Sequence, residues 1–304
     1  MNEPMFSYAP FGHRSEAEIL PAPIWPDASP ESPMSLKMRE AKKANDQNFW
    51  ATMREVIGYD VETLPHHRFK MWASVWMVPI ISQMKIYEFI KTVLVEVERT
   101  PGMAAALQDP GVGCLPEEFK QIALFDDYKT TMNRLQMFAH LINTGVHNDL
   151  HRMESIIELG AGIGEMADVI FQSHASPEYY IYDFPELLQL QKIHHDLLGP
   201  ERIDPEKMNY CSEVEDLPQD ADLVIATFSI TEMPYDLRKQ ILEQIGKAKN
   251  WLIMYSDTIF GYENNKWVQE VFLPRIQDTH EHRFIEAPYM AWDGGTKYLV
   301  VRSK

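Results

Sequence analysis

"IIELGAGIGEMADVI", residues 156–170, changes character halfway. Residues 156–159 read as a strand, Gly160, Gly162 and Gly164 break it at intervals of two, and the chain resumes from Glu165 as a helix. Glycine loses more conformational freedom on folding than any other residue. Three of them within five positions therefore imply a demand on the backbone at this point.

A glycine-rich passage from strand to helix lets backbone N–H groups and a helix N-terminus come close to a ligand. Dinucleotides and S-adenosylmethionine are two ligand classes held this way. The dinucleotide pattern G-x-G-x-x-G begun at Gly160 requires glycine at position 165, where this chain has Glu165. Begun at Gly162 it ends on Ala167, which the pattern permits. That register leaves Glu158 and Gly160 inside the strand. The glycines alone leave both classes open.

Beyond Glu154, short apolar runs alternate with helical ones. Strands are expected at Ser155–Leu159, Tyr179–Tyr182, Met208–Cys211, Leu223–Thr227, Trp251–Tyr255, Arg283–Ala287 and Tyr298–Val301, with helices between the first five. Such alternation implies a parallel sheet covered on both faces. "PYMAWDGGT", residues 288–296, is too short for a helical crossover, so the last two strands should pair antiparallel.

Before Glu154 the pattern is helical. "SLKMREAKKANDQNFWATMREVIGY" starts on a Ser cap and ends near Gly58, "FKMWASVWMVPIISQMKIYEFIKTVLVEVERT" is broken at Pro79, and "PEEFKQIALFDDYKTTMNRLQMFAHLINTG" is closed by Gly145. Residues 1–34 hold seven of the twenty prolines and read as an extended arm, whose Phe6, Tyr8, Phe11 and Trp25 can pack on the body or on a neighbouring subunit. The expected division is an arm at 1–34, a helical substrate or dimerisation module at 35–150, and an α/β domain at 151–304.

With its neighbours, the glycine stretch resembles motif I of class I S-adenosylmethionine-dependent methyltransferases: an acidic residue, Glu158, then Gly160, Gly162 and Gly164. The resemblance continues in chain order over roughly residues 150–304. "YYIYDF" is similar to the second strand ending in an acid, Asp183, which with Phe184 beside it is implied to hold the cofactor ribose. "NYCSEVEDLPQDADLVIATFS" looks like the third and fourth strands with their linking turn, implying Glu213 at the adenine amino group and a backbone N–H from Val214. Phe228 and Ser229 are implied to line the methionine end. The family's fold is Rossmann-like, a seven-stranded, mostly parallel sheet with an antiparallel last strand, here preceded by a helical module. Asp183 also suits a helix cap before "FPELLQLQKIHHDLL", and Glu213 also suits a solvated acidic turn.

Composition narrows the partners. A formal net charge of −17 argues against nucleic acid, whose binding depends on neutralising phosphates with Lys and Arg. Cys114 and Cys211 are the two cysteines, far apart and in no metal-like spacing, so neither a disulfide framework nor a structural zinc is expected. No apolar run is long enough for a bilayer, and the N-terminus lacks a basic segment followed by an apolar one. A cytoplasmic protein without a membrane or nucleic-acid partner is expected; no residue is marked as a metal ligand, and the helical module is the candidate surface for a homodimer.

Ligands sit beyond the carboxyl ends of the strands in an open parallel sheet. That places Glu232 and Asp257, after the fourth and fifth strands, as catalytic candidates, with Tyr289, Trp292 and Asp293 in the last turn. "SITE", Ser229 to Glu232, also matches a capping box. His280 and His282 precede the sixth strand and should lie at the opposite edge. His194 and His195 are expected on a solvated helix face, and His66, His67, His140 and His147 belong to the helical module. "FSITEMP" lacks the N-P-P-Y or D-P-P-Y loop of amino-methylating enzymes. "YDFPELLQLQ" and "FSITEM" together resemble sugar O-methyltransferases of bacterial surface-glycan and natural-product pathways. That implies methylation of a small hydroxylated acceptor, a sugar or glycan unit. A polyketide or phenol acceptor, and a methyltransferase-like subunit without turnover, are the alternatives.

Overall fold

The computed structural model describes residues 49–72, 86–100, 102–117, 123–125, 129–173, 175–287 and 295–304. The expected arm, the helix start at Ser35, the break at Pro79, and Tyr289, Trp292 and Asp293 lie outside these residues.

Seven strands make one sheet: β1 Ser155–Leu159, β2 Glu178–Tyr182, β3 Met208–Cys211, β4 Leu223–Thr227, β5 Asn250–Ser256, β6 His280–Glu286 and β7 Thr296–Ser303. Their order across the sheet is β3-β2-β1-β4-β5-β7-β6. β1 to β5 pair in parallel. β7 inserts between β5 and β6 and pairs antiparallel with both, as the short connection requires.

The sheet is covered on both faces because successive strand residues point to opposite sides. Ile156, Tyr179, Ile181, Ile225 and Met254 pack into one layer, with Leu135 and Phe138 of α4 (Met132–Thr144) and Met166, Val169 and Ile170 of α5 (Glu165–Gln172). Ile157, Leu159, Val224, Ala226 and Trp251 pack into the other, with Ile241, Leu242 and Ile245 of α7 (Tyr235–Ile245) and with Trp267, Val268 and Phe272. A third cluster joins Met53, Val56 and Ile57 of α1 (Phe49–Thr63) to Leu187 and Leu190 of α6 (Pro185–Leu198). The helices α2 (Ile86–Arg99) and α3 (Met103–Leu107) pack beside α4 through Val93, Val97 and Ala106. Among the described residues no helix is long and apolar enough to cross a membrane.

Three expectations are corrected. The link from β3 to β4 carries only a 3-10 turn, Val214–Asp216, because its residues "SEVEDLPQDAD" lack a helical apolar stripe. Ala123–Phe125 and Thr130–Thr131 form a small antiparallel pair where a helix was expected. α1 runs through Gly58 to Thr63; a Cβ there would lie 3.4 Å from Cγ of Glu186, so this glycine lets α1 press against α6. Gly145 does close α4, in the left-handed region at φ 72°.

Candidate functional site

The strand order reverses between β1 and β4, which opens a crevice beyond their carboxyl ends. The glycine turn lines it. Gly160, Gly162 and Gly164 have φ of 69°, 58° and 80°, a region that costs any other L-residue about 1–2 kcal/mol. Space is a second reason for glycine. A Cβ on Gly160 would lie 2.4 Å from Cβ of Ser229, and one on Gly164 would lie 2.5 Å from Nε2 of His195.

Four successive carbonyls of the turn, from Ala161 to Gly164, are engaged within the protein. Ala161 O accepts from Gly164 N at 2.8 Å. From α6, Gln191 Nε2 donates to Gly162 O at 3.1 Å, His194 Nδ1 lies 2.8 Å from Ile163 O, and His195 Nε2 lies 3.0 Å from Gly164 O. Gly160 N donates to Tyr182 O at 2.9 Å and Ala161 N to Asp183 Oδ2 at 3.1 Å. Among the described residues the amides of Gly162 and Ile163 meet no acceptor. Nearby, the buried Ser229 Oγ has no partner among the described residues either. Open donors beside a glycine turn suit a ligand carrying a carboxylate or hydroxyls.

Asp183 directly follows β2 and is buried against this turn. Its Oδ2 also accepts from Gln191 Nε2 at 2.8 Å, and its Oδ1 accepts from Phe184 N at 2.9 Å. Burial pushes its carboxyl up to about 7 despite these hydrogen bonds. Phe184, not Asp183, takes the N-cap position of α6. Glu158 points into the α4/α5 layer, where Tyr179 Oη donates to its Oε2 at 2.8 Å. Burial pushes the Glu158 carboxyl up to about 8. Glu213 is exposed, whereas Val214 is buried and its N–H meets no acceptor among the described residues.

Beyond β4 the chain turns through Phe228, a non-glycine residue at φ 60° whose N–H donates to Met254 O. Such strain persists only where the surroundings enforce it. The expected capping box does not form: Ser229 makes no side-chain cap bond, and Glu232 Oε2 instead accepts from Nε1 of Trp50 at 2.7 Å. Trp50 comes from α1, so the helical half of the chain reaches the crevice. Crowding pushes the Glu232 carboxyl up to about 8 although part of it stays open; the Trp50 bond and the charge of Arg238 oppose the shift. Arg238 is buried, donates to Met233 O at 2.8 Å and to Thr231 O, and lies 4.7–4.9 Å from the rings of Tyr235, Tyr262 and Trp267. It thereby clamps both sides of Glu232. Phe49 stacks on Phe260 at 5.0 Å, and Arg54 pairs with Glu186 at 3.0 Å while lying over Phe184. Asp257, after β5, is paired with Lys297 of β7 at 2.8 Å.

The histidines divide by end of sheet. His280 bonds Ala248 O, at the end away from the glycine turn, and His282 is exposed on the edge strand. His140 meets Tyr298 Oη, and burial pushes it down to about 3. His147 is buried near Leu141 O, His66 bonds Val61 O, and His67 is exposed. The expectation for His194 and His195 is corrected: both are buried against the glycine turn, and burial pushes them down to about 3 and about 4. Nothing in the amphipathic pattern of α6 announces this, because the acceptors lie on a turn thirty-one residues away.

Glu165, which stands where a dinucleotide pattern needs glycine, is also buried. Arg134 bridges it to Asp168, Arg202 pairs with Asp168 at 2.8 Å, and Lys70 binds Asp109 at 3.0 Å while lying 3.9 Å from Glu165. Burial would raise the Asp109 carboxyl, but Lys70 and Arg134 outweigh it and hold the group at about 2. This network ties the start of α5 to the 3-10 helix His66–Met71 and to α4. Among the described residues no cluster of side chains could hold a metal ion.

No family model matches the chain, and no curated protein matches its sequence. Solved structures do resemble its frame. The magnesium protoporphyrin IX methyltransferase ChlM from Synechocystis PCC 6803, with bound SAH, is 11% identical, with 57% of this chain and 83% of that one covered and a TM-score of 0.42. The mitomycin 7-O-methyltransferase MmcR is 13% identical over 80% of this chain and 74% of that one, with a TM-score of 0.39. The glycopeptide N-methyltransferase MtfA, complexed with sinefungin, is 8% identical over 54% and 86%, with a TM-score of 0.41. At these values the likeness says nothing of this chain's substrate.

Proposed function

We propose that this protein is an S-adenosylmethionine-dependent methyltransferase acting on a hydroxyl of a small acceptor, a sugar or glycan unit. The observation that carries the proposal is the meeting, at the β1/β4 crevice, of a glycine turn with open amides and the Ser229–Glu232 turn. The residues fit the cofactor: Gly162 and Ile163 amides and Ser229 Oγ would take its amino-acid end, Asp183 its ribose, and Val214 N–H its adenine. Asp183 keeps acceptor capacity, because a carboxylate has about four lone-pair sites and the protein fills three. Phe184, Phe228 and Gly160 shape the walls.

When bound, the cofactor would supply an electrophilic methyl group on a sulfonium, with the thioether as leaving group for an acceptor oxygen. Glu232 takes the acceptor's proton; Trp50 bonds that carboxylate, and Arg238 fixes the backbone on either side of it. The residue 35–150 module works on the substrate side, since its Trp50 meets Glu232. Asp257 acts less directly, being engaged by Lys297. The sugar assignment rests on "YDFPELLQLQ" and "FSITEM". An aromatic acceptor, such as a phenol, is the second reading, favoured by Phe49, Trp50 and Phe260 clustering at the mouth. The acidic charge, −17, continues to favour a small acceptor over nucleic acid.

Calorimetric titration with S-adenosylhomocysteine tests the cofactor assignment, and absence of heat at high micromolar concentration would overturn it. A screen of hydroxylated acceptors for S-adenosylhomocysteine release then tests the reaction. Glu232→Gln should abolish release while keeping cofactor affinity; full activity in that variant would remove the base role.

A further inference from the structure

Three side chains of α6 grip three successive carbonyls of the glycine turn, and one of them is itself held from behind. His195 Nδ1 lies 2.6 Å from the Tyr210 hydroxyl on β3, while its Nε2 lies 3.0 Å from Gly164 O. A carbonyl oxygen only accepts, so Nε2 must carry the imidazole proton. Nδ1 is then a lone pair, and the Tyr210 hydroxyl must donate. We propose that Tyr210 and His195 form a positioning relay: Gly164 O imposes the Nε2–H tautomer, and the Tyr210 hydroxyl, donating to Nδ1, holds the ring in the orientation that sets the conformation in which the glycine turn receives its cofactor. The relay rests on the cofactor site proposed above.

The physical case has three parts. In the opposite tautomer two lone pairs would face each other across the His195–Gly164 contact, and the turn would have to move. Gly164 leaves no slack, since even a Cβ there would lie 2.5 Å from His195 Nε2. Burial also keeps both His194 and His195 neutral at ordinary pH, so Nδ1 of His195 keeps the lone pair that the Tyr210 hydroxyl fills. With Gly164 O, Ile163 O and Gly162 O all occupied from α6, the Gly162 and Ile163 amides are left for the ligand. Tyr210 touches none of these atoms and acts only through His195.

A double-mutant cycle read by S-adenosylhomocysteine calorimetry tests the relay. Tyr210→Phe should weaken binding about three- to tenfold, as for loss of one neutral hydrogen bond. His195→Gln, which lacks the imidazole that Tyr210 holds, supplies the second background of the cycle. Adding Tyr210→Phe to that variant should cost less than about twofold, as coupling requires. Equal losses in both backgrounds, or none in either, would overturn the relay. Imidazole 15N spectra of the ligand-free protein give a readout that a purely structural role would not move: His195 as Nε2–H in the parent, with its Nδ1 resonance shifted in Tyr210→Phe by loss of the hydrogen bond to that lone pair. An Nδ1–H form in the parent sinks the relay outright. Failure of the parent to bind S-adenosylhomocysteine sinks the cofactor reading instead, and the spectra still decide the tautomer.

Discussion

Glu158→Gln should make this protein more stable at pH 8 relative to the parent than at pH 5. Burial lifts the Glu158 carboxyl from 4.5 to about 8, the Asp183 charge adds to the shift, and the Tyr179 hydroxyl opposes it. The folded state therefore keeps a proton that the unfolded chain releases above pH 4.5. Between 4.5 and about 8 the folded state binds more protons, so stability falls as pH rises through that window. Two and a half units separate 4.5 from neutrality, which at about 1.4 kcal/mol per unit amounts to about 3.5 kcal/mol. Glutamine keeps the shape and can accept from Tyr179, but it cannot titrate. Its cost is a buried amide N–H without an acceptor, about 1–3 kcal/mol at every pH. The variant should thus be the weaker protein at pH 5 and equal or better at pH 8. Urea unfolding followed by tryptophan fluorescence at both pH values measures the difference, in which the other titrating groups largely cancel. A stability difference that stays constant within about 0.5 kcal/mol between the two pH values would refute the reasoning, which assumes burial of a lone carboxyl to be costly.

Gly160→Ala should lose about 2 kcal/mol or more in urea unfolding, because its φ of 69° and the 2.4 Å approach to Ser229 both oppose a methyl group; an unchanged midpoint would contradict the packing. Lys70→Met should cost about 3–5 kcal/mol by leaving Asp109 buried without its ammonium, again measured by urea unfolding. The acid side of this pair has a definite sign: Asp109 is held at about 2, so its contribution is full above pH 3.8 and lost as pH falls toward 2. Trp50→Phe removes a hydrogen bond that holds the Glu232 carboxyl down, so its titration midpoint should rise above about 8. The pH profile of methyl transfer, expected to climb with ionisation of Glu232, reads this directly, and an unmoved midpoint would count against the Trp50 contact.

The sequence by itself determined the sheet. Short apolar runs between helical segments and short connections are local properties, and β1, β3 and β4 begin and end at the residues those runs mark. The antiparallel pairing of β6 and β7 followed from the length of their link. The glycine turn was legible as well, because left-handed φ has a one-residue signature in glycine. What surrounds that turn was not. The burial of His194 and His195, the pairing of Glu165 with Arg134, and the capture of Glu232 by Trp50 join residues 31, 31, 31 and 182 positions apart. No periodicity encodes such meetings. They exist only once helices from the two halves of the chain close on one crevice, since a side-chain hydrogen bond depends on atoms brought within about 3 Å by the whole fold. Local pattern specifies the backbone, and the tertiary structure alone decides which polar groups its turns leave open to a ligand.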